Sequence, residues 1–164
     1  MQLKTGYFYF ILDDFFEKVN DPYLKIDYKT TKRPHYFAFC DTITSLYWMT
    51  PCSTRVEKFE TIIQKKHEQH KPTDGIKIVI VRDEKKALLF QDMFPITVNY
   101  LKEQYIRAGN PVYIENQKIV TELEKTAKKV ITLLHRGIKF TPTQPDINRI
   151  ERLMMDELRE QQKM

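Results

Sequence analysis

Thr50-Pro51-Cys52-Ser53-Thr54-Arg55 puts two adjacent hydroxyls and an arginine directly ahead of an amphipathic run, Val56-Glu57-Lys58-Phe59. Before it, Leu46 to Met49 is apolar and aromatic, as a buried strand is. Pro51 lacks a ladder donor, so the strand is predicted to stop short of it and a tight polar turn to follow. Ser53 or Thr54 is the expected cap of the next helix, with Glu57 completing a capping box. The free N–H groups of a helix start attract anions, phosphate above all. Two hydroxyls and a fixed positive charge at that point would hold a phosphodiester while its charge changes. Two further groups could converge there. His35 follows Pro34 at the start of a strand, and its ordinary pKa of about 6.5 suits proton transfer at neutral pH. Tyr7 and Tyr9 share one face of the first strand, opposite Phe8 and Phe10, so one pair is free to line a cleft.

The chemistry that suits such a set is RNA cleavage. The ribose 2′-hydroxyl is its own nucleophile. The protein supplies a base, a cationic hold on the developing charge and an acid for the leaving oxygen, and no cofactor is required. Composition agrees. The 164 residues carry 27 Lys+Arg against 22 Asp+Glu, a net charge of +5, which favours a polyanionic partner. Ten Phe, nine Tyr and one Trp add the rings that stack on unpaired bases. Other classes find no support. Cys40 and Cys52 follow no metal spacing, and His35, His67, His70 and His135 form no ligand motif. Nothing resembles a P-loop, a dinucleotide fingerprint or a nucleophile elbow. No signal peptide or membrane-length apolar run is evident, so the cytoplasm is the expected compartment. A non-catalytic RNA-binding module is the alternative that shares this charge and aromaticity.

The elements that must position these groups are short strands first and helices after. Strands are expected at Thr5–Leu12, His35–Cys40, Leu46–Met49, Ile76–Val81, Ala87–Phe90 and Val112–Ile114. A short helix is expected at Asp13–Val19 and a longer one from Arg55 to about His70. Asp21 to Arg33 reads as a basic surface loop with Lys25, Lys29, Lys32 and Arg33, long enough to be functional. Arg82 to Lys85 reads as a charged turn, and Asn99 to Arg107 fits strand or helix. Asn116 to His135 carries Ile119, Leu123, Ala127, Val130 and Leu134 on one stripe. Lys118, Lys125, Lys128 and Lys129 lie mostly off that stripe and, with Arg136 and Lys139, are candidates for an RNA-binding face. Gly137 suits the position after a helix end. An extended linker leads to a last helix over Asp146 to about Glu160. The fold class expected is α+β: one domain over 1–164 with a helical elaboration at about 116–160. Its centre is a compact twisted antiparallel sheet or partly open barrel with helices packed outside.

Five blocks, in this order, resemble the ToxN/AbiQ endoribonuclease toxins of bacterial type III toxin–antitoxin systems, closest to the CptN branch. They are Thr5-Gly6-Tyr7-Phe8-Tyr9-Phe10, Arg33-Pro34-His35-Tyr36-Phe37, Leu46 to Met49 with Pro51 to Phe59, Phe90 to Ile96, and Arg136 to Asp146. The resemblance implies a fold like that of the MazF/Kid toxins. It implies metal-independent, sequence-specific RNA cleavage, usually in adenine-rich sequence, leaving 2′,3′-cyclic phosphate and 5′-hydroxyl ends. It also implies inhibition by a small RNA pseudoknot antitoxin in a closed protein–RNA assembly, and a role in phage defence. The family's catalytic Pro-x-(Ser/Thr)-Ser turn falls on Pro51-Cys52-Ser53-Thr54, so Ser53 and Thr54 inherit that role. Arg55 stands in place of a more usual lysine, and His35 stands where the toxin ToxN has a lysine. Tyr7, ahead of Tyr9, is the expected strand-one tyrosine. His35, Tyr7 and Arg55 are all open as the base. Cys52, Lys29, Lys32 and Arg33 complete the expected contacts to RNA, with no metal or other cofactor.

Overall fold

A computed structural model describes residues 3–24 and 33–163. Lys25, Lys29 and Lys32, and most of the basic loop they belong to, lie outside the described residues. The elements in chain order are β1 (Phe8–Ile11), α1 (Asp13–Val19), β2 (His35–Cys40), β3 (Tyr47–Ser53) and α2 (Val56–Glu68). Next come β4 (Lys77–Val81), β5 (Glu84–Leu88), β6 (Phe94–Ile96), β7 (Leu101–Gln104), β8 (Ile106–Arg107) and β9 (Asn110–Pro111). Helices α3 (Gln117–His135) and α4 (Ile147–Gln162) finish the chain.

The architecture is α+β. Seven strands form an antiparallel sheet in the order β4-β5-β3-β2-β1-β7, with β6 also pairing β3, and the sheet does not close into a barrel. Alternation along the strands supplies two apolar faces. Phe8, Tyr36, Trp48 and Leu88 point to one face, which α3 covers with Leu123, Ala127, Val130 and Leu134. Tyr9, Phe37, Met49 and Phe94 point to the other, covered by Phe15 and Phe16 of α1 and Ile150 and Met154 of α4. Helix α2 sits on a smaller cluster, Phe59 against Ile76, Ala87 and Leu89.

Three departures from the sequence reading bear on the site. First, β3 does not stop before Pro51 but runs through it to Ser53. Pro51 stands opposite His35, and the neighbouring bond runs from Cys52 N–H to Pro34 C=O at 3.3 Å. The His35–Pro51 pair is therefore a non-hydrogen-bonded one, and the proline nitrogen points away from β2. On that far side β3 exchanges one neighbour for another: Tyr47–Met49 pairs β6, and Cys52–Ser53 pairs β5. The missing donor falls at the changeover, where no ladder bond is lost. Second, β5 begins at Glu84, because the left-handed pair Arg82-Asp83 turns the chain in two residues. Lys85 and Lys86 are thus strand residues. Third, Val112–Ile114 makes only one bridge, Tyr7 to Tyr113, and Asn99–Arg107 divides into a 3₁₀ turn, β7 and β8.

The expected apolar stripe of α3 shifts by one residue at its start. Val120 is buried and Ile119 is 42 % exposed. Asn116 caps this helix, accepting from the N–H groups of Lys118 and Ile119 at 2.9 and 3.4 Å. At its other end Gly137 (φ +84°) donates to Leu134 C=O and Ile138 donates to Leu133 C=O, which closes a Schellman motif.

Candidate active site

The extension of β3 decides where the hydroxyls stand. Ser53 is the last strand residue, buried and opposite Ala87 of β5. Only Thr54 and Arg55 separate it from α2, so its Oγ reaches no further than the Arg55 N–H, which donates to it at 3.2 Å. The capping box expected from Thr54 and Glu57 does not form. Arg55 takes the cap position with no side-chain bond to the helix. Among the described residues the first-turn N–H groups of α2 therefore have no side-chain acceptor, and the positive end of the helix is uncapped by them.

Cations gather round this point. Thr54, Arg55, Lys58 and Lys85 share the wall of an open hollow of about 630 Å³ with Glu57 and Glu60. Lys85 Nζ lies 3.5 Å from Glu60. On the other side of β3, Arg33 Nη1 donates to the Cys52 carbonyl at 3.1 Å, which fixes a guanidinium beside Ser53. Lys86 lies on β5 one residue before Ala87, the partner of Ser53, close enough for its charge to act on Cys52. It is held 3.1 Å from Glu84. Lys85 and Lys86 are missing from the sequence reading because it takes Lys85 as turn and starts the strand at Ala87. The signal was the Arg-Asp pair, a two-residue turn that returns Glu84 to the ladder.

His35 is brought to the same region but faces inward. It is 2 % exposed, beside Tyr9 on β1 and Pro51 on β3. Its ring packs against Phe16 and Phe94, with centroids 6.1 and 5.4 Å away. Nδ1 lies 3.1 Å from the Arg33 carbonyl. A carbonyl only accepts, so Nδ1 carries the proton and the buried Nε2, which has no partner among the described residues, carries the lone pair. Burial, and after it the Arg33 charge, hold the imidazole at a pKa of about 3, so it is neutral at pH 7. His35 thus steadies the Arg33 backbone from below. The other histidines are elsewhere: His67 ends α2, His70 follows it, and His135 sits 2.7 Å from Glu151 on α4. Burial pushes the Cys52 thiol up to about 11 even though Lys86 and Arg33 pull it down, so Cys52 stays protonated.

Tyr7 is not part of this cluster. It stacks on Tyr113 at 4.7 Å and lines a separate hollow with Arg82 and Asn116. Tyr9 is buried, and its oxygen accepts from the Lys4 N–H at 2.9 Å. Of the proposed RNA-binding face, Lys125, Lys128 and Lys129 are paired with Glu122, Glu124 and Asp74 at 3.8, 3.0 and 2.9 Å. Lys118, Arg136 and Lys139 are exposed and have no ion-pair partner among the described residues. Among the described residues no three His, Cys, Asp or Glu side chains gather as a metal ligand set, and no helix is long and apolar enough to cross a membrane.

No protein-family model and no curated protein sequence matches this chain. A solved structure does: AbiQ, a lactococcal anti-phage endoribonuclease belonging to the type-III toxin–antitoxin system. It superposes with a TM-score of 0.74 at 12% identity, over 95% of this chain and 99% of that one. At that identity the likeness establishes a shared fold.

Proposed function

We propose that the chain is an endoribonuclease toxin of a type III toxin–antitoxin system, of the CptN branch. The likeness to AbiQ over nearly the whole chain carries this reading. The cationic, hydroxyl-bearing end of β3 supports it. In the reaction we propose, the 2′-oxygen of a ribose attacks the adjacent phosphorus. A bond forms from phosphorus to O2′, and the bond from phosphorus to the O5′ of the next nucleotide breaks. The products are a 2′,3′-cyclic phosphate and a 5′-hydroxyl. The 2′-proton leaves to solvent and O5′ takes one up from solvent, so the step balances with no water consumed.

Ser53 and Thr54 are assigned to the non-bridging phosphate oxygens. Arg33, Arg55 and Lys86 offset the charge that grows on them, and the open end of α2 adds its dipole. Such preorganised donors are typically the largest single contribution in this kind of chemistry. His35 is neutral and buried, so we assign it to positioning Arg33 and not to proton transfer. With no histidine at the cleft, the 2′-proton passes to solvent. The antitoxin is an RNA pseudoknot that binds the toxin directly in a closed protein–RNA assembly and covers this cleft.

The test is cleavage of an adenine-rich RNA by the purified chain in excess EDTA, with both product ends mapped. Cyclic-phosphate and 5′-hydroxyl ends are expected. RNA that is bound but left intact, after any co-purified RNA has been extracted, would replace this reading with a non-catalytic RNA-binding module.

A further inference from the structure

Away from the cleavage site, a second open hollow of about 920 Å³ lies between β4, the β8–β9 hairpin and the start of α3. Three large apolar side chains line it that are exposed: Ile80 at 66 %, Ile119 at 42 % and Tyr113 at 37 %. Such side chains scattered singly need no explanation, but three in one concavity do. Tyr113 is backed by Tyr7, the two rings 4.7 Å apart and within 12° of parallel. Lys4 Nζ stands 5.8 Å from the centre of the Tyr7 ring. The pair is a rigid flat platform, held by the Tyr7–Tyr113 backbone bridge.

The charges decide what the platform takes. The Arg82 guanidinium is consumed by the carbonyls of Arg107, Asn110 and Pro111 at 2.8, 3.0 and 3.3 Å. Asp83 and Glu115 also line the hollow and would repel a phosphate. Lys4 and Lys118, which have no ion-pair partner among the described residues, lie beside it and not in its lining. The interior thus suits a flat uncharged ring, and the rim suits the anionic chain that carries it. We propose that this hollow is a stacking subsite for one unpaired base of a bound RNA. The base lies against Tyr113 between Ile80 and Ile119, and a flanking phosphate meets Lys118. The proposal rests on the RNA-handling reading above and adds a contact remote from the scissile bond. Stacking on an aromatic ring tolerates any base, so the subsite adds affinity more than sequence choice.

The experiment titrates the full chain with a fluorescein-labelled, adenine-rich 20-nucleotide RNA at several salt concentrations, beside single-turnover cleavage at saturating protein. Tyr113→Ala should weaken binding by roughly five- to hundredfold, the loss typical of one stacked base, and Tyr113→Trp should restore it. Ile119→Glu fills the hollow with charge and should weaken binding similarly. It is safe for folding, because an acidic side chain is favourable in the first turn of a helix. Tyr113→Ala removes no charge and no phosphate contact, so its salt slope should stay, whereas Lys118→Ala should lower it by about one. The cleavage rate at saturation should be that of the wild type in Tyr113→Ala and Ile119→Glu. Wild-type affinity in both Tyr113→Ala and Ile119→Glu would overturn the subsite alone. A change in sedimentation with RNA affinity unchanged would assign the hollow to a protein partner and also overturn it. A wild-type chain that neither binds nor cuts the RNA would overturn the ribonuclease reading, and the subsite with it.

Discussion

Replacing His35 by phenylalanine should flatten the acid side of the stability curve. In the folded chain burial holds the imidazole at a pKa of about 3, against about 6.5 when unfolded. Between those values the unfolded state binds a proton that the folded state refuses. Stability therefore rises with pH across this window and is lost as pH falls from about 6.5 towards 3. At pH 7 the unfolded histidine is mostly neutral and the difference is a few tenths of a kcal/mol. At pH 5 it is about 2 kcal/mol. His35→Phe keeps a ring between Phe16 and Phe94 and removes the titration. It also removes the bond to the Arg33 carbonyl, at about 1 kcal/mol, but at every pH alike. Urea unfolding at pH 7.0 and 5.0, for both proteins, isolates the effect. The wild type should lose about 2 kcal/mol more than the variant on acidification. Equal losses would mean that His35 titrates as it does in water, and the buried-neutral assignment would be wrong.

Three other outcomes are expected. Ser53→Ala should cut the single-turnover cleavage rate by about a hundredfold or more while the thermal midpoint barely moves, since it removes one oxygen near the phosphate and one acceptor for the Arg55 N–H. With no histidine at the cleft, the logarithm of the cleavage rate should climb steadily with pH between 6 and 9, and a bell-shaped profile would restore a general base. Gly137→Ala should cost about 1 kcal/mol in denaturant unfolding through backbone strain alone, because φ is +84° and an added Cβ meets nothing within 4 Å.

Where local pattern and tertiary setting agree, the elements were legible. HYFAFC is a six-residue strand with the bounds its composition suggests, and Asp13–Val19 is the helix its spacing suggests. Asn116 and Gly137 mark the ends of α3 as their backbone preferences require. Pro51 was misread because a proline penalty depends on which side its nitrogen faces, and only the neighbours of β3 fix that. The same non-local fact displaced the cap of α2, whereas Lys86 was missed because the two-residue turn at Arg82-Asp83 was read as a longer one. The inward turn of His35 was equally hidden, since a histidine at a strand start gives no sign of which face it takes. The separation of Tyr7 from the β3 end follows from its bridge to Tyr113, more than a hundred residues away in the chain.

Helix α4 completes one apolar face, with Ile150 and Met154 in the same cluster as Phe15, Phe16 and Phe94. Its start is tied to the beginning of the chain. The Asp21 carboxylate accepts from the Asp146 N–H, 125 residues on, and Arg149 Nη2 donates to the Val19 carbonyl, 130 residues away. A ribosome that has passed the whole sheet has still not supplied the surface that seals it. The nascent chain must carry an open face until α4 emerges, since closing loops of this length cannot precede their last residue. Completion of the fold thus waits on the synthesis of α4. A product that stops before Asp146 would keep every strand of the sheet and still lack the helix that covers Phe15, Phe16 and Phe94.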